Sequence, residues 1–206
     1  MNLMIQFSCN IIPMKKVIII IMKALRLTLR QKRHTINHNN RKKFAQFLLF
    51  QTQKLTTFKR EEKIAIYLPN DGEIDTKYIA NFLKRQNFSI YLPKLIGKKL
   101  KFAKVNKFFK KNIFGIKEPI YTKILNTKQM NIIFVPLVGF DKNKNRIGMG
   151  SGFYDHTLAF KKYQQNYKNP KLYGLAFDCQ KVDKLNTKPW DVPLDAIITP
   201  TKIYNK

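Results

Sequence analysis

Negative charge is what this chain has least of: twelve Asp and Glu are set against forty Lys and Arg, a formal net charge of +28 over 206 residues. Cysteine is scarcer still. Cys9 and Cys179 stand too far apart for any metal-ligating or redox spacing, which argues against a zinc module or a disulfide framework and leaves a reducing cytoplasm as the expected compartment. Long apolar runs are missing as well. Val17 to Met22 follows Lys15 and Lys16 in the manner of a signal sequence, but falls short of the roughly 7–15 residues of a signal core and the about 20 of a membrane span. Arginine is the fourth deficit. Only seven of the forty cationic residues are Arg (26, 30, 33, 41, 60, 85 and 146), whereas binders that grip nucleic-acid phosphates favour the bidentate guanidinium. A lysine excess that rises together with Asn and Ile reads as the background of an AT-rich coding sequence. Neither nucleic acid nor a membrane is therefore expected as a partner.

What is present is enough for a core. At 44% hydrophobic and 13% aromatic, 206 residues fit one α/β domain more easily than two. Met22-Lys23-Ala24-Leu25-Arg26 opens a helical pattern. The expected division is therefore an N-terminal extension, residues 1–21, and a single domain over residues 22–206. A weak amphipathic helix is the alternative reading of the extension.

From Lys23 to about Lys54, apolar residues at helical spacing predict one or two surface helices, divided near Thr35 to Asn40. Lys63 to Leu68 is a β-branched and aromatic run that stops at Pro69 and exits through the turn residues Asn70-Asp71-Gly72. Asp75-Thr76 is placed to cap a helix through Lys84, and Ser89 to Pro93 reads as a second strand, which completes a βαβ unit with a parallel pair. Leu100 to Val105 suggests a hairpin strand, Phe114 to Pro119 an irregular segment, and Asn131 to Val138 a central strand. A helix to about Tyr163 and strands at Leu172–Phe177 and Asp195–Thr199 follow. The expected architecture is a mostly parallel open sheet flanked by helices.

The segment with the clearest chemistry is Arg146-Ile147-Gly148-Met149-Gly150-Ser151-Gly152-Phe153-Tyr154-Asp155. Glycines at alternate positions between a buried strand and a helix let backbone N–H groups approach a phosphate closely, although a tight turn alone would use them too. The spacing matches neither G-x-G-x-x-G nor the Walker pattern, so dinucleotide and ordinary P-loop binding do not follow. Asp155 at the end of such a loop would repel phosphate unless a cation intervened, which points to magnesium. A second carboxylate is available at Asp195. Either Asp could instead be a helix cap or a strand-end turn residue.

Pro136 to Asp141, followed by Asn145-Arg146-Ile147-Gly148-x-Gly150-x-Gly152-Phe153-Tyr154-Asp155, closely resembles the signature of the 5-formyltetrahydrofolate cyclo-ligase (methenyltetrahydrofolate synthetase) family. Lys23-Ala24-Leu25-Arg26, Tyr67-Leu68-Pro69 with Gly72 to Thr76, Phe114 to Pro119, and Asp191 to Asp195 with Ile197-Ile198-Thr199 agree in order, so the resemblance spans Met22 to about Thr201. It implies a fold resembling those of sugar-phosphate isomerases and CoA transferases, and an enzyme that uses ATP and magnesium to convert 5-formyltetrahydrofolate to 5,10-methenyltetrahydrofolate. It also implies roles by position. Lys23, Ala24, Leu25 and Arg26, with Arg146, Ile147, Gly148, Met149, Gly150, Ser151, Gly152, Phe153 and Tyr154, would line the nucleotide site. Leu68 and Glu73 would hold the folate, with Met149 to Phe153 facing both ligands. Asp155 and Asp195 would bind magnesium, and Arg146 and Tyr154 would be the catalytic residues.

The chain departs from the family pattern at Met22, Met149, Ser151, Phe153 and His156, which are often basic, polar or aromatic there; Lys16 could substitute for the missing cation at Met22. The rival reading is a basic nucleic-acid-binding protein without catalytic activity, suggested by aromatics among lysines in Lys107-Phe108-Phe109-Lys110-Lys111. A solvated strand edge explains those residues equally well.

Overall fold

The break near Thr35 divides two helices in the computed structural model, which describes residues 14–163 and 168–205. Helix α1 spans Met14–His34 and α2 spans His38–Leu55, where Asn37 caps α2 by accepting the Asn40 N–H at 2.9 Å. The helix does not open at Met22, as the sequence suggested. It is already formed at Met14 and runs through without interruption. Its packing is another matter. Val17 to Ile21 are 38–58% exposed, and α1 makes its apolar contacts with the domain from Met22 and Leu25 onward. Cys9 and most of the extension lie outside the described residues.

The βαβ unit forms as expected, from β1 (Lys63–Ala65), α3 (Lys77–Arg85) and β2 (Ser89–Ile96), with Ile64 beside Ile90 in parallel register. Asp75 rather than Thr76 caps α3, accepting the Lys77 N–H at 2.8 Å, while the Thr76 hydroxyl donates to the Tyr67 carbonyl at 2.7 Å. Strand β3 (Lys99–Lys104) turns back antiparallel on β2. The segment read as irregular is a small hairpin in part: β4 (Phe109–Lys111) pairs with β5 (Lys117–Pro119), and Phe114 stands in the connecting turn. Alternation failed to reveal β5 because it is only three residues long and ends in Pro.

Next come β6 (Ile124–Leu125), β7 (Ile132–Pro136), the hairpin of β8 (Gly139–Phe140) and β9 (Arg146–Ile147), and the short helices α4 (Phe153–Leu158) and α5 (Phe160–Tyr163). Strands β10 (Lys171–Leu175), β11 (Ala196–Ile198) and β12 (Ile203–Tyr204) complete the order. Among the described residues the main sheet runs β12-β11-β10-β7-β1-β2-β3-β6, parallel from β11 to β2 and antiparallel at both margins. Helices are needed on both faces of such a sheet, and β7 shows why its sequence is apolar throughout. Ile132 and Phe134 pack with Leu48, Ile79 and Leu83 of α2 and α3, while Ile133 and Val135 pack on the other side with Leu158 of α4.

Helix α1 docks separately, with Leu29 against Val138, Ile147 and Leu185 at the base of the β8–β9 hairpin. The approach is so close that a Cβ on Gly139 would lie 2.4 Å from Leu29 and 3.0 Å from Ile147. Gly139→Ala is accordingly expected to push α1 off the hairpin and to cost about 1–3 kcal/mol, as overpacking usually does. Chemical denaturation of the two proteins measures it, and an unchanged midpoint would contradict this packing.

Candidate active site

Strands β1 and β7 are neighbours, and the chain leaves them in opposite directions: β1 leads toward β2, β7 toward β10. In an open parallel sheet the crevice beyond the carboxyl ends of such a pair is where ligands sit. Both site-bearing segments emerge there. The exit from β1 carries Leu68 to Glu73, and the exit from β7 carries the β8–β9 hairpin and the Gly-rich stretch.

The hairpin is fixed by Asp141. This fully buried carboxylate accepts N–H bonds from Asn143 (2.9 Å), Asn145 (3.1 Å) and Leu185 (3.1 Å) and an amide bond from Asn145 Nδ2 (2.9 Å), which together satisfy the charge. From that anchor Arg146 turns inward. Its side chain is 5% exposed and donates to the Val192 carbonyl and to Asp155 Oδ1, both at 2.6 Å. Ile147 is buried, whereas Gly148 to Ser151 are exposed. Gly150 and Gly152 have φ of 114° and 68°, conformations that side-chain-bearing residues resist. Gly152, Phe153, Tyr154 and Asp155 are half-buried as the chain enters α4. Across the loop, the Phe114 ring of the β4–β5 hairpin meets Phe153 edge to face at 5.7 Å between centroids.

Helix α1 reaches the same loop. Arg26 Nε donates to the Gly148 carbonyl at 2.9 Å, and its guanidinium carbon lies 3.9 Å from where a Gly150 Cβ would be. Lys23 and Ala24 are exposed one turn earlier, with Leu25 half-buried; Lys16 is two turns before Lys23 and exposed. Lys23 and Arg26, two of the cationic residues expected at the nucleotide site, thus share one helix, which reaches the glycines through Arg26.

On the β1 side, Asn70 to Glu73 form a tight turn. Asp71 and Gly72 both have positive φ (49° and 74°), and the Glu73 N–H donates to the Asn70 carbonyl at 3.0 Å. The Glu73 carboxylate folds back to accept the Asn70 N–H at 3.1 Å. Burial pushes the Glu73 carboxyl up from 4.5 to about 7, against the opposing pull of the Asn70 N–H and Arg33. Glu73 is close enough to Tyr154 for its charge to raise that phenol further, on top of a larger effect of burial. Burial and Glu73 act in the same way on Tyr67, whose hydroxyl donates to the Ile74 carbonyl at 3.1 Å. The two exits are joined by Arg33, which donates to the Asp71 carbonyl at 2.8 Å and to the Leu137 carbonyl at 3.4 Å. Leu68 is half-buried and packed on the core.

The two carboxylates suggested for magnesium are not alike. Asp155 stands at the rim of the Gly-rich loop with one oxygen on Arg146. Asp195 precedes β11, where Oδ2 accepts the Leu172 N–H (2.8 Å) and Lys161 Nζ (3.2 Å) while Oδ1 lies 3.7 Å from Lys171 Nζ. In strand register it is level with Leu172 and Ile133, at the start of β10 and β7 and three residues short of the end of β7. Among the described residues no three His, Cys, Asp or Glu side chains gather as a metal cluster. Asp155 fits an ion held by one carboxylate, waters and substrate phosphates.

Sequence reasoning passed over the residues that hold these loops. Arg33 is fully buried and bonds Asp71 through both its backbone carbonyl (2.8 Å) and carboxylate (2.5 Å); Arg30 grips the same carboxylate at 2.7 and 3.0 Å. The signal was there, since Arg26, Arg30 and Arg33 recur at helical spacing in a chain with seven arginines. The hydrogen bonds from Arg30, helped by His34 and Arg33, hold the Asp71 carboxyl well below the usual carboxylate range.

The shift at Glu73 has a sign that can be checked. A carboxyl whose folded value is raised favours the fold while protonated, so this contribution is full below about pH 4.5 and fades as pH rises through about 7. Glu73→Gln, which cannot ionise, is expected to flatten the melting temperature between those values and to exceed the wild type above pH 7. A wild-type advantage above pH 7 would contradict the burial argument.

Comparison with known proteins identifies the family. The profile described as "5-formyltetrahydrofolate cyclo-ligase family" matches residues 21–200. Curated cyclo-ligases of that name are similar: one from Haemophilus influenzae is 40% identical over 68% of this chain and 76% of its own, and one from Escherichia coli is 32% identical over 85% and 98%. The solved 5,10-methenyltetrahydrofolate synthetase of Aquifex aeolicus superposes with a TM-score of 0.76 at 26% identity over 89% of this chain and 92% of its own, and that of Mycoplasma pneumoniae with 0.69 at 29% over 87% and 98%. With matched residues extending from the first turns of α1 past β11, this chain belongs to the 5-formyltetrahydrofolate cyclo-ligase family.

Proposed function

We propose that the chain closes 5-formyltetrahydrofolate to 5,10-methenyltetrahydrofolate at the crevice between β1 and β7, driven by ATP and releasing ADP and phosphate. The observation that carries this reading is that one helix holds both sides of the site, Arg33 donating to the Asp71 carbonyl of the Glu73 turn at 2.8 Å and Arg26 to the Gly148 carbonyl of the Gly-rich loop at 2.9 Å. A half-buried carboxylate suits the adjacent N–H donors of a pterin, and an exposed Gly-rich loop flanked by Arg26 and Arg146 suits a polyphosphate.

The chemistry asks the protein to align two substrates and to neutralise charge. The formyl oxygen attacks the γ-phosphorus as the bond to ADP breaks. The folate's second nitrogen then attacks the formyl carbon, the carbon–oxygen bond breaks with phosphate as leaving group, and that nitrogen loses its proton. Glu73 and Leu68 orient the pterin. Lys23 and Arg26 face the outer phosphates, with Ala24 and Leu25 forming the helix surface between them. The N–H groups from Ile147 to Tyr154 take the remaining oxygens, and Met149 to Phe153 lie between the ligands. Arg146 sets a buried positive charge beside the transferring group. Tyr154, its phenol pushed upward by burial, stays a neutral O–H donor.

Magnesium, when bound, would screen the phosphate charge. Asp155 is the carboxylate that the loop presents for it. Asp195 would join only by giving up Lys161 and Lys171, and its present bonds suit a brace for the start of β10. In this reading residues 22–206 are the catalytic unit, acting as a cytoplasmic monomer without nucleic acid. Among the described residues no helix is long and apolar enough to cross a membrane.

Purified protein given 5-formyltetrahydrofolate, ATP and magnesium is expected to form the methenyl product, seen by its near-ultraviolet absorbance; no product at micromolar enzyme would overturn the proposal. Asp155→Ala is expected to lose more than about a hundredfold in kcat, and some thermal stability as well because the buried Arg146 side chain loses its carboxylate. Asp195→Asn is expected to lose less than about tenfold and to lower the melting temperature, because it leaves the mostly buried Lys161 without its carboxylate. The reverse ranking would make Asp195 the principal metal ligand.

A further inference from the structure

We propose that Arg30, Arg33 and Asp71 are positioning residues for the folate, fixing the Asn70–Glu73 turn and through it the Glu73 carboxylate relative to the Gly-rich loop. The proposal rests on the folate reading of Glu73 given above. A turn with two successive positive φ values could be left to solvent, as most are. This one is gripped at consecutive carbonyls: Arg33 Nε donates to the Asp71 carbonyl at 2.8 Å and Arg41 Nη1 to the Gly72 carbonyl at 2.9 Å. Arg33 is itself fully buried and also donates to the Leu137 carbonyl at 3.4 Å, one residue past the end of β7. One guanidinium therefore spans the exits of both strands that flank the crevice.

Burying an arginine to hold a surface turn is a poor device for stability, because desolvation offsets most of the attraction. It is a good device for geometry. Asp71 answers Arg33 Nη2 at 2.5 Å, and Arg30 takes the same carboxylate bidentately from one turn earlier on α1. His34 fills the remaining side, its Nε2 3.1 Å from Asp71 Oδ1 and its ring within 2.9 Å of where a Gly72 Cβ would be. The helix that holds the turn also carries Arg26 to Gly148 and Leu29 against Gly139. A single rigid element thus sets the distance between the group that orients the pterin and the loop that orients the phosphates. Glu73 follows because its carboxylate is tied to the Asn70 N–H within the same turn.

The test is equilibrium binding of 5-formyltetrahydrofolate and, separately, of ATP to the wild type, Asp71→Asn and Arg30→Gln, with Glu73→Gln as background. Asp71→Asn leaves Arg33 buried without its counter-charge and can fail to fold. Arg30→Gln removes a side chain 39% exposed and leaves the Arg33 bonds in place, so it keeps the test open. Arg30→Gln is expected to weaken folate binding about tenfold and a folded Asp71→Asn more, with ATP affinity within about twofold. In the Glu73→Gln background Arg30→Gln is expected to add almost nothing, since residues acting through one another are not additive. Equal loss of both ligands, additive effects, or unchanged folate affinity would each overturn the positioning role. Wild-type protein that binds folate but yields no methenyl product would overturn the catalytic reading alone; no folate binding would overturn both.

Discussion

Everything at the crevice depends on one carboxylate set among cations. Asp71, on a turn outside every strand and helix, is the counter-charge that permits a fully buried Arg33, and Arg33 is what ties α1 to the exits of β1 and β7. Remove the pair and α1 retains Leu29 on the β8–β9 hairpin and Arg26 on Gly148, but its other half is left tied to the Glu73 turn through Arg41, which bonds the Arg33 and Gly72 carbonyls. Buried ion pairs contribute little net stability on average, so the interaction matters here for registry.

The sheet explains why the two loops are neighbours at all. Adjacent parallel strands put their exits side by side, and where the crossover directions diverge an open α/β sheet leaves a gap between the loops. The residues in that gap divide by physical character. Glu73 and Tyr154 are withdrawn from water, which raises both groups and favours hydrogen bonding over charge, whereas Gly148 to Ser151 remain exposed. A folate and a nucleotide need those two environments in contact.

Much of this was legible in the sequence. The βαβ unit, the apolar β7, the Asn70-Asp71-Gly72 turn and the Gly-rich stretch all announce themselves through period, breakers and composition, and Arg26 reaches the Gly-rich stretch at the Gly148 carbonyl. What escaped is long-range. That Asp71 would meet Arg33 across 38 positions, or that Asp141 would knit the β8–β9 loop to Leu185, is decided by tertiary packing and leaves no local trace. Asp155 and Asp195 look equivalent as sequence, and differ because one ends a solvent-facing loop while the other braces two strand starts. The β5 strand and the start of α1 at Met14 were misread because short or unpacked elements carry no burial pattern.

The charge of +28 takes its place within this picture. Lysines dominate the exposed surface, including the β4–β5 hairpin with Lys110, Lys111 and Lys117, while arginines 26, 30, 33 and 146 are drawn into specific hydrogen bonds around the crevice. A diffuse positive surface draws polyanionic substrates inward, and the few guanidiniums then fix the geometry. The most direct test of that geometry follows an atom. With 5-formyltetrahydrofolate labelled by heavy oxygen in its formyl group, the account predicts that the label leaves in the phosphate released by this protein. Label recovered in water, with unlabelled phosphate, would contradict transfer between two substrates held together at the Gly-rich loop.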